Sequence, residues 1–160
     1  MEDKFEILFD FAKKSFEEVT CEVTEENFEL TEELKIGSDN MLSILIGVAG
    51  DTNGRILLNT SVESGKNLAV AMNFGDELEK EDDLYVYLAE FANMFCGRTA
   101  TYINNKFGKR EIWITPPSIF SAKDLDIITP NITSQKAYYK SSFGDFIIDV
   151  GKSESVCDEF

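Results

Sequence analysis

The sequence predicts a single α+β domain in which long helices cover a mainly antiparallel sheet. Three observations carry that prediction. Strand-like stretches come in consecutive pairs joined by short turns, which favours antiparallel pairing. Two long segments repeat apolar residues at helical spacing. The order helix, three strands, helix is then followed by helix and three strands, as a diverged duplication into two halves would leave it.

Taken in order, residues 3–19 place Phe5, Leu8, Phe9, Ala12, Phe16 and Val19 on one face, giving an amphipathic helix with an aromatic stripe for the core. An acidic strand is expected near residues 28–36. "MLSILIGVAG" and "RILLNTS" flank "DTNG", whose Asn53-Gly54 pair is a strong hairpin signal. Thr60, with Glu63 three residues on, reads as a capping box for a helix through "SGKNLAVAMN", and Gly75 can end it. The acidic stretch "GDELEKEDD" leads into a long helix over 82–106, with Asp82 and Asp83 suited to its positive N-terminal end. "REIWITPPSIF" reads as a strand broken by Pro116 and Pro117, and "SQKAYYKSSFGDFIIDV" as a second hairpin turning across "FGD". The domain is therefore assigned to residues 1–150. Residues 151–160, "GKSESVCDEF", have little to bury and are expected to fray.

Composition excludes several function classes. The chain has 160 residues, 43% of them hydrophobic and 13 of them Phe, which suffices for one sizeable core. A formal charge of -15 gives almost no electrostatic support for a phosphate backbone, so nucleic acid is not an expected partner. Acids crowd the first 33 residues; they read as a solvated face, with a docking surface for a basic partner as the alternative. Histidine is absent, which removes imidazole bases, Ser-His and Cys-His nucleophile pairs and histidine-held metals. No apolar run approaches the ~20 residues needed to span a bilayer. The acidic, amphipathic start is unlike a secretory signal, so a cytoplasmic protein without a membrane partner is expected. The odd, widely spaced cysteines Cys21, Cys96 and Cys157 fit reduced thiols.

Several motifs fail on inspection. Gly65-Lys66 lacks the glycine that a phosphate loop needs five residues earlier, where Thr60 stands. "GDTNG" lacks the spaced ligands of a calcium loop, and Asp124 with Asp126 is too small a set for a metal. Cys96 has no base at hand and reads as a buried bystander.

The long helix is different. At 100° per residue Leu84, Leu88, Phe91, Phe95 and Tyr102 form a buried stripe, while Val86, Glu90, Asn93, Gly97 and Asn104 fall opposite it. A carboxylate and a carboxamide thus project together about one turn apart. An apolar Val86 and a bare Gly97 share their face. Glycine in a helix interior costs about 1 kcal/mol relative to alanine and lets another surface come close.

In order and spacing, "IGVAGDTNGRILLNTSVESGKNLAVAMN" (46–73), "YLAEFANMFCGRTATYINN" (87–105) and "IWITPPSIFSAKDL" (112–125) resemble the CheC/CheX/FliY family of CheY-phosphate phosphatases, its CheX branch above all. The resemblance spans roughly residues 40–128, and "EFANMFCG" is its most specific piece. It implies a CheC-like fold and a phosphatase that hydrolyses the aspartyl phosphate of a CheY-type response-regulator receiver, ending a chemotaxis signal. By the same resemblance Asn93 and Glu90 are the catalytic residues, Asn93 holding the attacking water and Glu90 gripping a receiver lysine. Val86 and Gly97 would lie against the partner. No cofactor is implied on this chain, the Mg²⁺ belonging to the receiver, and a homodimer paired through the sheet is implied. The first helix lacks a Glu-x-x-Asn, so one active helix per chain is expected, as in CheX. Val86 stands where many members carry an acidic or small polar residue, and Ser121-Ala122 where glycine is frequent. The alternatives are a non-catalytic receiver-binding or flagellar-switch-like module, and an ordinary oligomer contact that the polar pair decorates.

Overall fold

The computed structural model describes residues 3–37, 40–123, 125 and 132–153. Helix α1 (Lys4–Thr24) starts at Asp3, whose carboxylate accepts from the Phe5 N–H, and stops at Glu25 in a left-handed conformation. It is longer than the apolar spacing predicted. In its last turns the Thr20 and Thr24 hydroxyls donate back to the Phe16 and Thr20 carbonyls, at 2.8 and 2.6 Å.

Strand β1 (Glu29–Thr31) pairs only three residues, against the nine-residue strand expected, and the acids that follow it stay exposed. Strands β2 (Asn40–Gly50) and β3 (Gly54–Ser61) form the hairpin predicted from Asn53-Gly54. Helix α2 (Val62–Met72) is capped one residue later than expected: Ser61, not Thr60, accepts from the Ser64 N–H. The Thr60 hydroxyl is spent elsewhere, donating to the Asp145 carbonyl across the sheet at 2.7 Å. Helix α3 (Asp83–Phe107) ends at left-handed Gly108. Strands β4 (Ile112–Ile114) and β5 (Ser118–Lys123) are one broken strand, both paired with β2 on either side of the two prolines. Strands β6 (Ile132–Ser141) and β7 (Gly144–Ser153) make the last hairpin, its turn at Ser142-Phe143. Strand β7 runs three residues into the segment expected to fray. Residues 154–160 lie outside the described residues, as do Asp124 and Asp126.

The sheet order is β1-β6-β7-β3-β2-β4, with β5 also on β2, and every pairing is antiparallel. Exchanging β1 with the broken strand β4/β5, β2 with β6 and β3 with β7 returns the same order. The duplication inferred from element order is therefore written in the pairing itself, with β3 and β7 joined at the centre.

The core lies between the helices and one sheet face. Phe16 sits at its heart, fully buried, with the rings of Phe28, Phe91, Phe95, Tyr139 and Phe146 within 4.8 to 6.2 Å between centroids. Such a one-sided arrangement leaves one side of α3 facing water. That side carries the candidate residues.

Candidate active site

Helix α3 buries Leu84, Leu88, Phe91, Phe95, Ala92, Cys96, Thr99, Ala100 and Ile103. Anchored along that length, the helix has little freedom to roll, so the residues opposite are held in place by the core beneath them. Val86 is 66% exposed, Glu90 and Asn93 are exposed, and Gly97 is partly so. Among the described residues neither the Glu90 nor the Asn93 side chain makes a hydrogen bond or an ion pair. A carboxylate and a carboxamide therefore stand one helical turn apart on a rigid support, with every lone pair and amide proton available.

Their surroundings keep them that way. Arg98, the cation nearest along the helix, is held by α1 through both its terminal nitrogens, Nη1 to Glu22 Oε1 at 2.6 Å and Nη2 to Glu22 Oε2 at 2.9 Å. The guanidinium holds the Glu22 carboxyl below its ordinary value. Tyr102 donates to Glu18 at 2.6 Å. These contacts fix α3 against α1 and leave Glu90 without an internal counter-ion.

The structure parts from the sequence reading at Asn104. Expected on the solvent face with the pair, it is half-buried and turned to β4: its amide oxygen accepts from the Glu111 and Ile112 N–H groups at 2.8 and 3.0 Å, and its amide nitrogen donates to the Ile112 carbonyl at 3.1 Å. It satisfies the backbone that leaves the helix C-terminus. Tyr102 likewise is only half-buried, at the margin of the stripe, its ring tilted against that of Phe11. Cys96 is buried and desolvation pushes its thiol up, which makes it unreactive.

Gly97 has open space where a Cβ would sit. Gly65 of α2 does not, since a Cβ there would lie 3.2 Å from Leu88 Cδ1. One helical glycine has a folding reason and the other has none inside the chain. Sequence reasoning missed Phe74, which is 96% exposed beside the start of α3. The "NFG" stretch signals a turn but not which way its aromatic ring faces.

A family model described as "Chemotaxis phosphatase CheX" matches residues 42–141. Among solved structures, the chemotaxis protein CheX from Desulfovibrio desulfuricans is similar with a TM-score of 0.76 at 16% identity, over 91% of this chain and 99% of that one. CheX from Vibrio vulnificus gives 0.77 at 15% identity, over 91% and 96%. The CheX–CheY–BeF3–Mg complex from Borrelia burgdorferi gives 0.71 at 19% identity, over 95% and 99%. A search of curated proteins returns no significant match.

Proposed function

The chain belongs to the CheX family of chemotaxis phosphatases, and from that premise we propose that it hydrolyses the aspartyl phosphate of a CheY-type receiver in the cytoplasm. The observation that carries the proposal is the exposed, unbonded pair Glu90 and Asn93 on one turn of a helix that the core holds still.

An acyl phosphate is already activated towards hydrolysis, so catalysis consists mainly of holding a water in line with the leaving carboxylate and balancing charge. A carboxamide can accept from that water and donate to a phosphoryl oxygen at once, which no carboxylate does without repelling the phosphoryl group. Asn93 takes that role. Glu90, lacking a cation of its own, is free to pair with a lysine on the receiver, fixing the angle at which Asn93 enters. Val86 and Gly97 lie on the same face and would rest against the receiver, Gly97 allowing the closer approach. The Mg²⁺ that neutralises the phosphoryl oxygens would be the receiver's, and this chain contributes no ligand to it in this reading.

Sheet-edge pairing into a homodimer belongs to the same reading. Strand β5 supports it, because among the described residues it pairs with β2 alone and leaves its outer edge open. Light scattering should then give twice the 18.0 kDa chain mass.

The test is phosphate release from a phosphorylated CheY-type receiver with Mg²⁺. Wild type should accelerate release, Asn93→Ala should abolish the acceleration while still binding, and Glu90→Ala should weaken both. Both variants should melt with wild type, since both side chains are exposed and neither makes a hydrogen bond or ion pair among the described residues. Equal rates for wild type and Asn93→Ala would end the enzymatic reading; binding without turnover in wild type would leave a receiver-binding module.

A further inference from the structure

Phe74 is almost wholly in water and takes φ 59°, a left-handed backbone that bulky residues rarely adopt. Nothing in the folded chain rewards the ring for being there. Its support is nonetheless firmly built. The Asn73 amide donates to the Asp76 and Glu77 carbonyls at 3.0 and 3.3 Å, and its oxygen accepts from the Tyr87 hydroxyl at 2.8 Å. The Gly75 N–H closes the turn on the Val70 carbonyl at 2.9 Å.

Tyr87 belongs to α3, directly after Val86 and three residues before Glu90. The hydrogen bond from Tyr87 therefore holds the Phe74 turn in register with the helix that carries the candidate pair. A groove of about 1740 Å³ runs past this turn, lined by the end of α1, α2, α3 and the β6–β7 turn, and its apolar lining includes Phe74, Leu78, Tyr85, Met94 and Phe143. Met94, the residue after Asn93 in α3, lines the groove, while Glu90 and Asn93 themselves lie outside its lining. The groove's lining is acidic on balance, with Glu22, Glu25, Glu77, Glu79, Glu81 and Asp82 against Lys66 and Lys80.

We propose that Phe74 is a second docking anchor for the receiver, filling an apolar recess on it that lysine or arginine flanks, and that this contact selects which receiver is bound. The inference rests on the receiver-phosphatase reading for the identity of the partner. An exposed aromatic on a rigid turn loses little freedom on binding and suits an anchor. The acidic lining supplies complementarity to a basic surround and speeds encounter.

The experiment titrates wild type, Phe74→Ala and Phe74→Gly with a CheY-type receiver loaded with Mg²⁺ and beryllofluoride, and measures turnover of the phosphorylated receiver in parallel. Expected are a Kd and a KM raised about tenfold or more in both variants, a kcat within twofold of wild type, and a melting temperature unchanged for Ala and unchanged or raised for Gly, which relieves the backbone. Unaltered Kd in both variants would overturn the anchor. Wild type that binds but does not turn over, with binding lost in the variants, keeps the anchor and removes the phosphatase reading; wild type that neither binds nor turns over removes both.

Discussion

Gly97→Ala separates folding from function at one position. A glycine inside a helix is less stable than alanine by about 1 kcal/mol, because its unfolded chain is freer and its helical backbone less shielded. The gain is realised only where the methyl meets nothing, and at Gly97 nothing lies within 4 Å of the Cβ position. For a chain of this size, ~1 kcal/mol corresponds to a rise of roughly 2–4 °C in Tm. Gly65→Ala is the internal control. There the new methyl would stand 3.2 Å from Cδ1 of Leu88, itself 1% exposed and unable to retreat freely, so overpacking costing about 1–3 kcal/mol offsets the helical gain. Thermal melts should therefore rise for Gly97→Ala and stay level or fall for Gly65→Ala. Receiver turnover should run the other way: Gly97→Ala raises KM because the methyl occupies the space into which the partner comes, and a larger Gly97→Leu raises it further. A stabilised Gly97→Ala with unchanged KM would refute the idea that the position is kept bare for the partner. An unchanged Tm would refute the backbone argument itself.

Two further outcomes follow from contacts around α3. Asn104→Ala should destabilise by about 1–3 kcal/mol in urea unfolding, since it removes the acceptor of the Ile112 N–H and the donor to the Ile112 carbonyl and leaves the Glu111 N–H only the Lys109 carbonyl, and Asn104→Asp should recover only the acceptor part. The Glu22–Arg98 pair predicts a pH signature. The Glu22 carboxyl is held below its ordinary 4.5, so its contribution is fully present above that value and is lost as pH falls through the depressed folded value. Glu22→Gln should melt slightly below wild type at pH 7, and the gap should narrow as pH is lowered below the ordinary carboxylate range; a gap that does not change with acidification would rule out the ion pair as its source.

Much of this molecule is legible in its sequence where one local rule decides, and less where a distant partner does. Asn53-Gly54 dictates a hairpin from two residues, and Pro116-Pro117 breaks a strand with no help from elsewhere. The cap of α2 is different. Thr60 and Ser61 are both acceptable caps by type, and the choice falls to Ser61 because β7 lies close enough for Asp145 to take the Thr60 hydroxyl. Asn104 sits on the correct wheel angle for solvent, yet the chain that follows Gly108 folds back beside it. The exposure of Glu90 and Asn93 could be read in advance because the apolar stripe of Leu84, Leu88, Phe91 and Phe95 on one helix turns its reverse side to water. The exposure of Phe74 could not, since a turn's direction depends on the Tyr87 hydroxyl waiting on another element.

The duplication explains why a chain with two equivalent long helices presents one pair. In α1, Phe16 and Thr20 stand four residues apart, with the Thr20 hydroxyl donating to the Phe16 carbonyl at 2.8 Å; in α3, Phe95 and Thr99 repeat the arrangement at the same distance. Bringing these pairs into register puts Phe11 and Lys14 of α1 where α3 has Glu90 and Asn93, and Glu18 where it has Gly97. Those α1 residues are all turned to one ring. Phe11 lies 5.4 Å from Tyr102, Lys14 is 4.6 Å above it, and Glu18 accepts its hydroxyl proton. The equivalent face of the first helix is thus committed to holding the second, in part through the contacts that immobilise α3. Restoring a carboxylate and a carboxamide at 11 and 14 would remove the Phe11 and Lys14 contacts with Tyr102 and loosen α3 beneath its own pair. One half of the duplication carries the candidate pair, and the other half carries the contacts that hold its helix still.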